Sequence, residues 1–310
     1  MKGAGVSLGI GDDCALLRLR SGEEVAITTD LSIESRHFRT GWHPPEAVGH
    51  RTLARGLSDL AAMGARPLAA FVSLGLPPKL VRGRRSWADR FYDGLLSLAS
   101  AHNCPLAGGD LAESPVALAD IVMAGAVPRG RALLRSGAKP GEKLYVTGAL
   151  GGAAAGLQAL AALNRISGIR PMPRRLSTVL QPHLFPQPRL TQGKWLLQRG
   201  IATSCMDISD GLSIDLHRLC EESRVSAEVD ADALPISPGA DREHALYGGE
   251  DYELLFTAGA DAKLPHSIAG VPITAIGRIL RGRSGQPLIT VREGGKVQPL
   301  ARGGWEHFAG

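Results

Sequence analysis

The stretch Ser58-Asp59-Leu60-Ala61-Ala62-Met63-Gly64-Ala65-Arg66-Pro67 sets one carboxylate inside a run of small residues that stops at a glycine. Upstream, Pro44-Pro45-Glu46 reads as a helix start, because proline in a first turn gives up an N–H that has no partner there. Helical spacing puts Leu53, Leu57, Leu60 and Ala61 on one face and Thr52, Arg55, Gly56, Asp59 and Met63 on the other. Beyond Gly64, Pro67 to Leu76 reads as an apolar strand closed by Pro77-Pro78. A helix running straight into a strand, with Asp59 off the apolar stripe, points to an α/β arrangement.

The flanking segments continue the alternation. Val25 to Asp30 is a strand that delivers Thr28, Thr29 and Asp30 to an edge or cleft, and Trp87, Phe91, Leu95 and Leu98 mark a second helix ending near Asn103. These aromatics read as core. Leu106 to Asp110 is a short strand into a Gly-Gly turn, and Val116 to Val127 a long apolar strand. With few helices in this half, its strands are expected to find a partner surface in a second copy of the chain.

Pro140-Gly141 marks a boundary near residue 138, giving domains 1–138 and 139–310. The second half predicts a strand at Lys143 to Thr147, a turn at Gly148 to Gly152, and a helix from Ala153 to Leu163. Pro171, Pro173, Pro182, Pro186 and Pro188 mark an irregular connection, followed by a helix from Leu190 to Arg199. A strand at Thr203 to Met206, a helix at Leu212 to Glu222, and strands at Val225 to Val229, Tyr252 to Thr257 and Ile273 to Leu280 complete the reading. The fold class is α/β (α+β) in two domains.

Composition narrows the function. The net charge of +5 is spread over scattered arginines, and only 5% of residues are aromatic, which suits a small phosphorylated substrate better than a nucleic-acid stacking platform. Cys14, Cys104, Cys205 and Cys220 show no CxxC spacing, so neither zinc nor a redox pair is indicated. With no charged-then-apolar leader and no apolar run near the roughly 18 residues of a membrane span, a soluble, cytoplasmic protein is expected.

Familiar phosphate-holding loops are missing. Gly148 to Gly156 lacks the GxGxxG spacing, and Gly193-Lys194 is followed by Trp195 rather than Ser or Thr. Gly148 to Gly152 reads first as a tight turn, although its amides could also meet an anion. Metal is the other way to hold a triphosphate. Gly11-Asp12-Asp13, Thr28-Thr29-Asp30, Ser58-Asp59, Gly108-Gly109-Asp110 and Asp207-Ile208-Ser209-Asp210 each bring carboxylates beside Gly, Ser or Thr. Taken singly, each is ordinary turn or cap chemistry, and Ser209-Asp210 would make a good N-cap for the helix at Leu212. Their coincidence suggests convergence on a Mg-nucleotide site with Asp59 at its centre. Mg2+ takes one or two carboxylates per ion and fills its octahedron with water and phosphate oxygens. Without cations, packed carboxylates would repel by roughly 4 kcal/mol per pair at 4 Å and a dielectric near 20. Asp59→Asn or Asp210→Asn is therefore expected to stabilise the metal-free protein.

Taken together, Gly9-Ile10-Gly11-Asp12-Asp13-Cys14-Ala15, Thr28-Thr29-Asp30, His37-Phe38, Leu57 to Ala65, Gly108-Gly109-Asp110, Asp207 to Leu212 and Gly248-Gly249-Glu250-Asp251-Tyr252-Glu253-Leu254 resemble, in order, the motifs of the thiamine-monophosphate kinase family. The resemblance runs from about residue 8 to Phe308. It implies ATP-dependent conversion of thiamine monophosphate to thiamine diphosphate, in a superfamily shared with aminoimidazole ribonucleotide synthetase and selenophosphate synthetase. It also implies an N-terminal mixed sheet flanked by helices that pairs across a homodimer into a barrel, and a C-terminal α/β sandwich. By motif, Asp13, Thr28, Thr29, Asp30, Asp59, Asp110, Asp207 and Asp210 would hold several Mg2+ ions. Gly109, Asp110, Arg135, Ser209 and Tyr92 would contact ATP, and His37, Glu250 and Trp305 thiamine monophosphate. Asp59, Asp210 and Arg135 would carry the transfer. Only eight residues precede Gly9, where family members carry a longer segment.

Two rivals are an enzyme of the same superfamily acting on another acceptor and a non-catalytic nucleotide-binding protein. Cys14 lies inside the shared Gly-Asp-Asp-Cys-Ala motif, which argues against a selenophosphate-type reactive cysteine. The intact carboxylates argue against loss of catalysis.

Overall fold

A computed structural model describes residues 5–11, 13–166, 174–282 and 284–306. Asp12, Pro171, Pro173 and Phe308 of the sequence reading lie outside them. The chain divides into two compact units, one of residues 1–60, 65–131 and 184–186, the other of residues 61–64, 132–183 and 187–310.

The first unit begins with a hairpin, β1 (Val6–Leu8) and β2 (Leu16–Leu17), followed by β3 (Glu23–Ile33), α1 (Pro45–Ala62), β4 (Arg66–Leu76), α2 (Trp87–Ala101), β5 (Leu106–Glu113) and β6 (Leu118–Pro128). Its main sheet runs β3-β6-β4-β5, antiparallel except for the β4–β5 pair. That one parallel pair is the one joined through a helix, as a parallel crossover requires. Ser86 and Asp89 form a capping box at the start of α2. Trp87 stacks on Phe91 at 5.5 Å and Phe38 on Trp87 at 6.3 Å, so the predicted aromatics are packing residues.

α1 is less amphipathic than its spacing suggests. Thr52 and Gly56, placed on the polar face, are buried, and only Arg55, Asp59 and Met63 remain half-buried on that side. Glycine explains it. A Cβ on Gly56 would stand 2.4 Å from the Met123 side chain of β6, and one on Gly49 would stand 1.9 Å from the Phe91 carbonyl of α2. The helix thus lies hard against both sheet and neighbouring helix. The opposite sheet face is open: along β3, Val25, Ile27 and Leu31 are 46%, 66% and 46% exposed, alternating with the more covered Ala26, Thr28, Asp30 and Ser32.

The second unit contains β7 (Lys143–Thr147), α3 (Gly152–Ile166), α4 (Arg174–Leu184), α5 (Leu190–Arg199), β8 (Ala202–Asp207), α6 (Leu212–Ser223), β9 (Ser226–Asp230), α7 (Arg242–Tyr247), β10 (Leu254–Ala258), β11 (Ser267–Ile268), β12 (Val271–Leu280), β13 (Ile289–Glu293) and β14 (Lys296–Pro299). Its sheet runs β14-β13-β9-β12-β7-β10-β8, with β11 beside β12. Leu144, Val146, Met206, Leu255, Ile276 and Ile279 from the sheet pack with Leu212, Leu216 and Leu219 of α6 in one core.

Three local expectations are corrected. The proline-rich connection contains a helix, α4, with Pro182 inside its last turn, where it forfeits one backbone N–H donor. β10 starts at Leu254 rather than Tyr252, because Glu250 and Tyr252 take left-handed φ of 69° and 53°. Beyond the strand at Ile273 to Leu280, with which the expected elements ended, β13 and β14 form a hairpin turned by Gly294-Gly295, both with positive φ.

Candidate active site

The first unit arranges its predicted ligands along the two edges of one sheet. At the β3 edge, the Thr28 hydroxyl donates to Asp59 of α1, and Arg55, one turn before Asp59, lies 3.6 Å from Asp30. Thr28 and Asp30 share the helix-facing side of β3, whereas Thr29 sits with Ile27 and Leu31 on the open side, since neighbouring strand residues point oppositely. At the other edge, Gly109 and Asp110 begin the exposed part of β5, and the Asp110 carboxylate accepts from the Leu111 amide at 2.9 Å. Gly109 has φ of 143°, and a Cβ there would stand 2.0 Å from the Val72 carbonyl, so no other residue fits. Gly9 stands against Ala107 of β5, which ties the exposed Asp13 turn to this edge. Asp30 pairs with Ile121, Ile121 with Val72, and Val72 with Gly109, so three strand spacings, about 14 Å, separate the two edges. The sheet does not bring Asp30 and Asp110 side by side.

Two more residues of this unit complete the account. His37 is half-buried, its Nδ1 accepting from the Ile33 amide at 3.1 Å, beside a small pocket lined by Ser32, Phe38, Val48, Arg51, Thr52 and Arg55. Tyr92 packs edge-on against Phe91 at 5.6 Å, and burial pushes its phenol pKa upward.

In the second unit a backbone knot gathers the predicted residues. Asp207 ends β8, and the Ser209-Asp210-Gly211 loop follows. Glu250 donates its amide to the Ser209 carbonyl at 2.7 Å, Tyr252 to that of Ile208 at 2.9 Å, and Trp305 to that of Asp210 at 2.9 Å. A Cβ on Gly304 would stand 2.4 Å from the Asp210 carbonyl, so the tail lies flat on this loop and leaves Trp305 45% exposed. Arg135 is exposed in the segment before β7, its carbonyl accepting from Ser223.

The cap expected of Ser209-Asp210 is not made. Gly211, with φ of 124°, is the N-cap of α6, with no side-chain cap bond. Instead Asp215 reaches back from inside the helix and takes the amides of Ser209, Asp210 and Gly211 at 3.0, 3.0 and 3.1 Å. Burial pushes its carboxyl up to about 6, against the pull of those amides and of Arg218. Asp210 is bonded to Arg218 at 2.6 Å. Arg218 thus offsets charge at Asp210, while the Asp210 carboxylate adds to the rise at Asp215.

The Gly148–Gly152 turn also acquires a definite role. Its anion is internal: the half-buried Asp251 carboxylate accepts from Gly151 and Ala153 at 2.6 and 3.0 Å, at the N-terminus of α3. Burial pushes Asp251 up to about 7, with Glu253 and Glu250 nearby adding to the rise and the amides opposing it. Glu253 is buried, fork-bonded to Arg189 at 2.6 and 2.5 Å and accepting from the Thr147 hydroxyl at 2.6 Å. Its carboxylate occupies the place a Cβ on Gly148 would need. The two alternate carboxylates after Glu250 thus anchor its loop. Both stand in the Gly248 to Leu254 motif without an expected role, and the Gly148 to Gly152 turn opposite is the sequence signal for one.

Every predicted metal-facing donor is a carboxylate or hydroxyl oxygen, the hard set Mg2+ requires. Among the described residues no group of three or more His, Cys, Asp or Glu forms a ready metal cage. An ion that takes only one or two carboxylates, with substrate oxygens completing its shell, fits such a dispersed donor set.

Residues 11–127 match the family model of AIR synthase related protein, N-terminal domain, and residues 139–287 that of the C-terminal domain. The two-unit fold is that of the AIR synthase related class. Thiamine-monophosphate kinase of Escherichia coli (strain K12) is 39% identical over 98% of this chain and 93% of its own length. The crystal structure of thiamine-monophosphate kinase from Stenotrophomonas maltophilia K279a superimposes with a TM-score of 0.81 at 38% identity, covering 93% of this chain and 91% of that one. AaThiL, solved in complex with AMPPCP and TMP, gives a TM-score of 0.81 at 30% identity, covering 94% and 89%. The chain belongs to the thiamine-monophosphate kinase family.

Proposed function

We propose that the protein transfers the terminal phosphoryl group of ATP in line to the phosphate of thiamine monophosphate, giving thiamine diphosphate and ADP. The observation that carries the reading is the knot in the second unit, where Glu250 and Trp305 are each tied by a backbone hydrogen bond to the Ser209-Asp210 loop. It joins residues assigned to nucleotide and metal with residues assigned to thiamine monophosphate.

The acceptor is a phosphate monoester oxygen, already anionic near neutral pH, so no strong general base is needed. The obstacle is bringing two polyanions together, and the protein's contribution is positioning and charge neutralisation. Asp13, Thr28, Thr29, Asp30, Asp59, Asp110, Asp207 and Asp210 would hold Mg2+; bound there, it would neutralise phosphate charge. Thr28 orients Asp59 through its hydroxyl, and Thr29, on the other sheet face, serves a different ion or acts through its carbonyl. Gly109, Arg135, Ser209 and Tyr92 contact ATP, with Arg135 offsetting charge on the nucleotide. His37 and Glu250 bind the acceptor, and Trp305 stacks on a flat thiamine ring.

The first domain, 1–138, carries nucleotide and dimer contacts, and 139–310 completes the site. The open apolar face of β3 supports a homodimer with the barrel of the family. Pairing would also supply a second set of sheet edges, offsetting the separation of Asp30 from Asp110 within one copy. No helix among the described residues is long and apolar enough to cross a membrane, and a cytoplasmic location is part of this reading. A coupled ADP-release assay across thiamine, thiamine monophosphate and other phosphorylated acceptors tests the function. Turnover confined to thiamine monophosphate is expected, and equal turnover on unrelated acceptors would reject it.

A further inference from the structure

One charged cluster beside the knot, Asp215 with Arg218, lies outside the residues assigned to nucleotide, metal and acceptor. Asp215 is 0% exposed, yet its two oxygens are used separately. Oδ2 collects the consecutive amides of Ser209, Asp210 and Gly211, while Oδ1 accepts from Arg218 Nη1 at 2.7 Å. The same Nη1 donates to Asp210 Oδ2 at 2.6 Å. One guanidinium nitrogen therefore bridges a carboxylate that shapes the loop backbone and a carboxylate that the loop displays.

We propose that Asp215 and Arg218 are positioning residues for the nucleotide–metal side of the site, Asp215 setting the backbone of residues 209–211 and Arg218 aiming the Asp210 side chain. The inference rests on the reading of Asp210 as a metal carboxylate.

Three converging amides make a concave anion-binding nest, and left empty it would compete for phosphate or for Asp210 itself. Asp215 fills it from within the chain. Asp210 stands between Ser209 and Gly211, whose φ of 124° favours glycine, in a backbone fixed by the amide bonds to Asp215, but those bonds do not reach its side chain. Without a fixed partner its carboxylate would sample several rotamers, and each ion bound would have to restrict them. The Arg218 bridge restricts them in advance. The guanidinium is also a cation at the same oxygen, so a pure competitor for Mg2+ is the contrary reading. The two differ in sign: a positioning residue lowers the Mg2+ needed for binding, a competitor raises it.

The experiment measures binding of AMPPCP to the full chain by calorimetry over a Mg2+ series, for wild type, Arg218→Gln, Arg218→Lys, Asp215→Asn and Asp210→Asn, with each fold checked by circular dichroism. Outer partners of metal ligands typically change metal affinity by about 10- to 100-fold, so Arg218→Gln should raise the half-saturating Mg2+ by about that factor. Arg218→Lys should recover part of the loss. An unchanged or lowered Mg2+ requirement in Arg218→Gln, or no recovery in Arg218→Lys, overturns the proposal. If Asp215→Asn does not fold, the two Arg218 variants decide alone. Loss of binding in Asp210→Asn with none in Arg218→Gln sinks the positioning role only. Normal binding in Asp210→Asn sinks the metal reading beneath it as well.

Discussion

Glu253→Gln is the substitution whose cost can be worked most directly from the structure. Glu253 is 3% exposed and answers the Arg189 guanidinium with both oxygens, at 2.6 and 2.5 Å, while taking the Thr147 hydroxyl. Glutamine keeps the shape but puts an NH2 group against a donor and leaves Arg189, itself only 20% exposed, without its counter-charge. Breaking a buried pair from one side costs about 3–5 kcal/mol, because the surviving charge has lost both water and partner. For a unit of this size, each kcal/mol moves the melting point by about 2–4 °C, so a fall of about 6–20 °C is expected. Arg189→Gln should cost a similar amount. The double variant should cost clearly less than the sum, with a coupling of about 2 kcal/mol or more, since removing both charges removes the stranded ion. Because Glu253 also anchors the loop carrying Glu250, the Michaelis constant for thiamine monophosphate should rise in both single variants. Thermal melts of the four proteins in a double-mutant cycle test this. Additive effects, or a loss below about 1 kcal/mol in Glu253→Gln, would show that the fork does not hold the loop.

Three further outcomes are expected. Asp59→Asn should abolish most turnover across a Mg2+ titration while the fold persists, since Asn keeps the Thr28 hydrogen bond but loses the charge; near-normal rates would remove Asp59 from the site. Ile27→Glu, on the open face of β3, should turn a dimer into a monomer in light scattering, and a wild-type chain that is monomeric at micromolar concentration would refute the dimer. Asp251 is raised to about 7 from an unfolded value near 4, so the folded state holds its proton more tightly and the stability this supplies is full below about pH 4 and lost as pH rises through 7. The metal-free melting temperature should accordingly fall between pH 5 and 7.5 more steeply in wild type than in Asp251→Asn, and parallel slopes would count against it.

Much of the fold is written in local periodicity. The spacing of Trp87, Phe91, Leu95 and Leu98 belongs to α2, and the apolar runs of β4 and β6 appear close to their observed limits. What local pattern could not express is close backbone approach. The polar face assigned to α1 is buried because Gly49 and Gly56 admit α2 and β6, and a glycine's neighbours across space leave no mark in its own segment.

The same division runs through the site. Sequence by itself offered the candidate side chains for the chemistry, because Asp13, Asp30, Asp59, Asp110 and Asp210 stand in short covalent motifs whose character survives in any fold. The tertiary structure decided which carboxylates are already committed. Asp251 is taken by the amides of α3, 98 to 100 residues away, and Glu253 by Arg189, 64 residues away. Asp215 closes on the loop ahead of its own helix. A carboxylate's partner is set by where the chain returns in space, and burial then fixes whether that partner is a backbone amide, an arginine or an incoming ion.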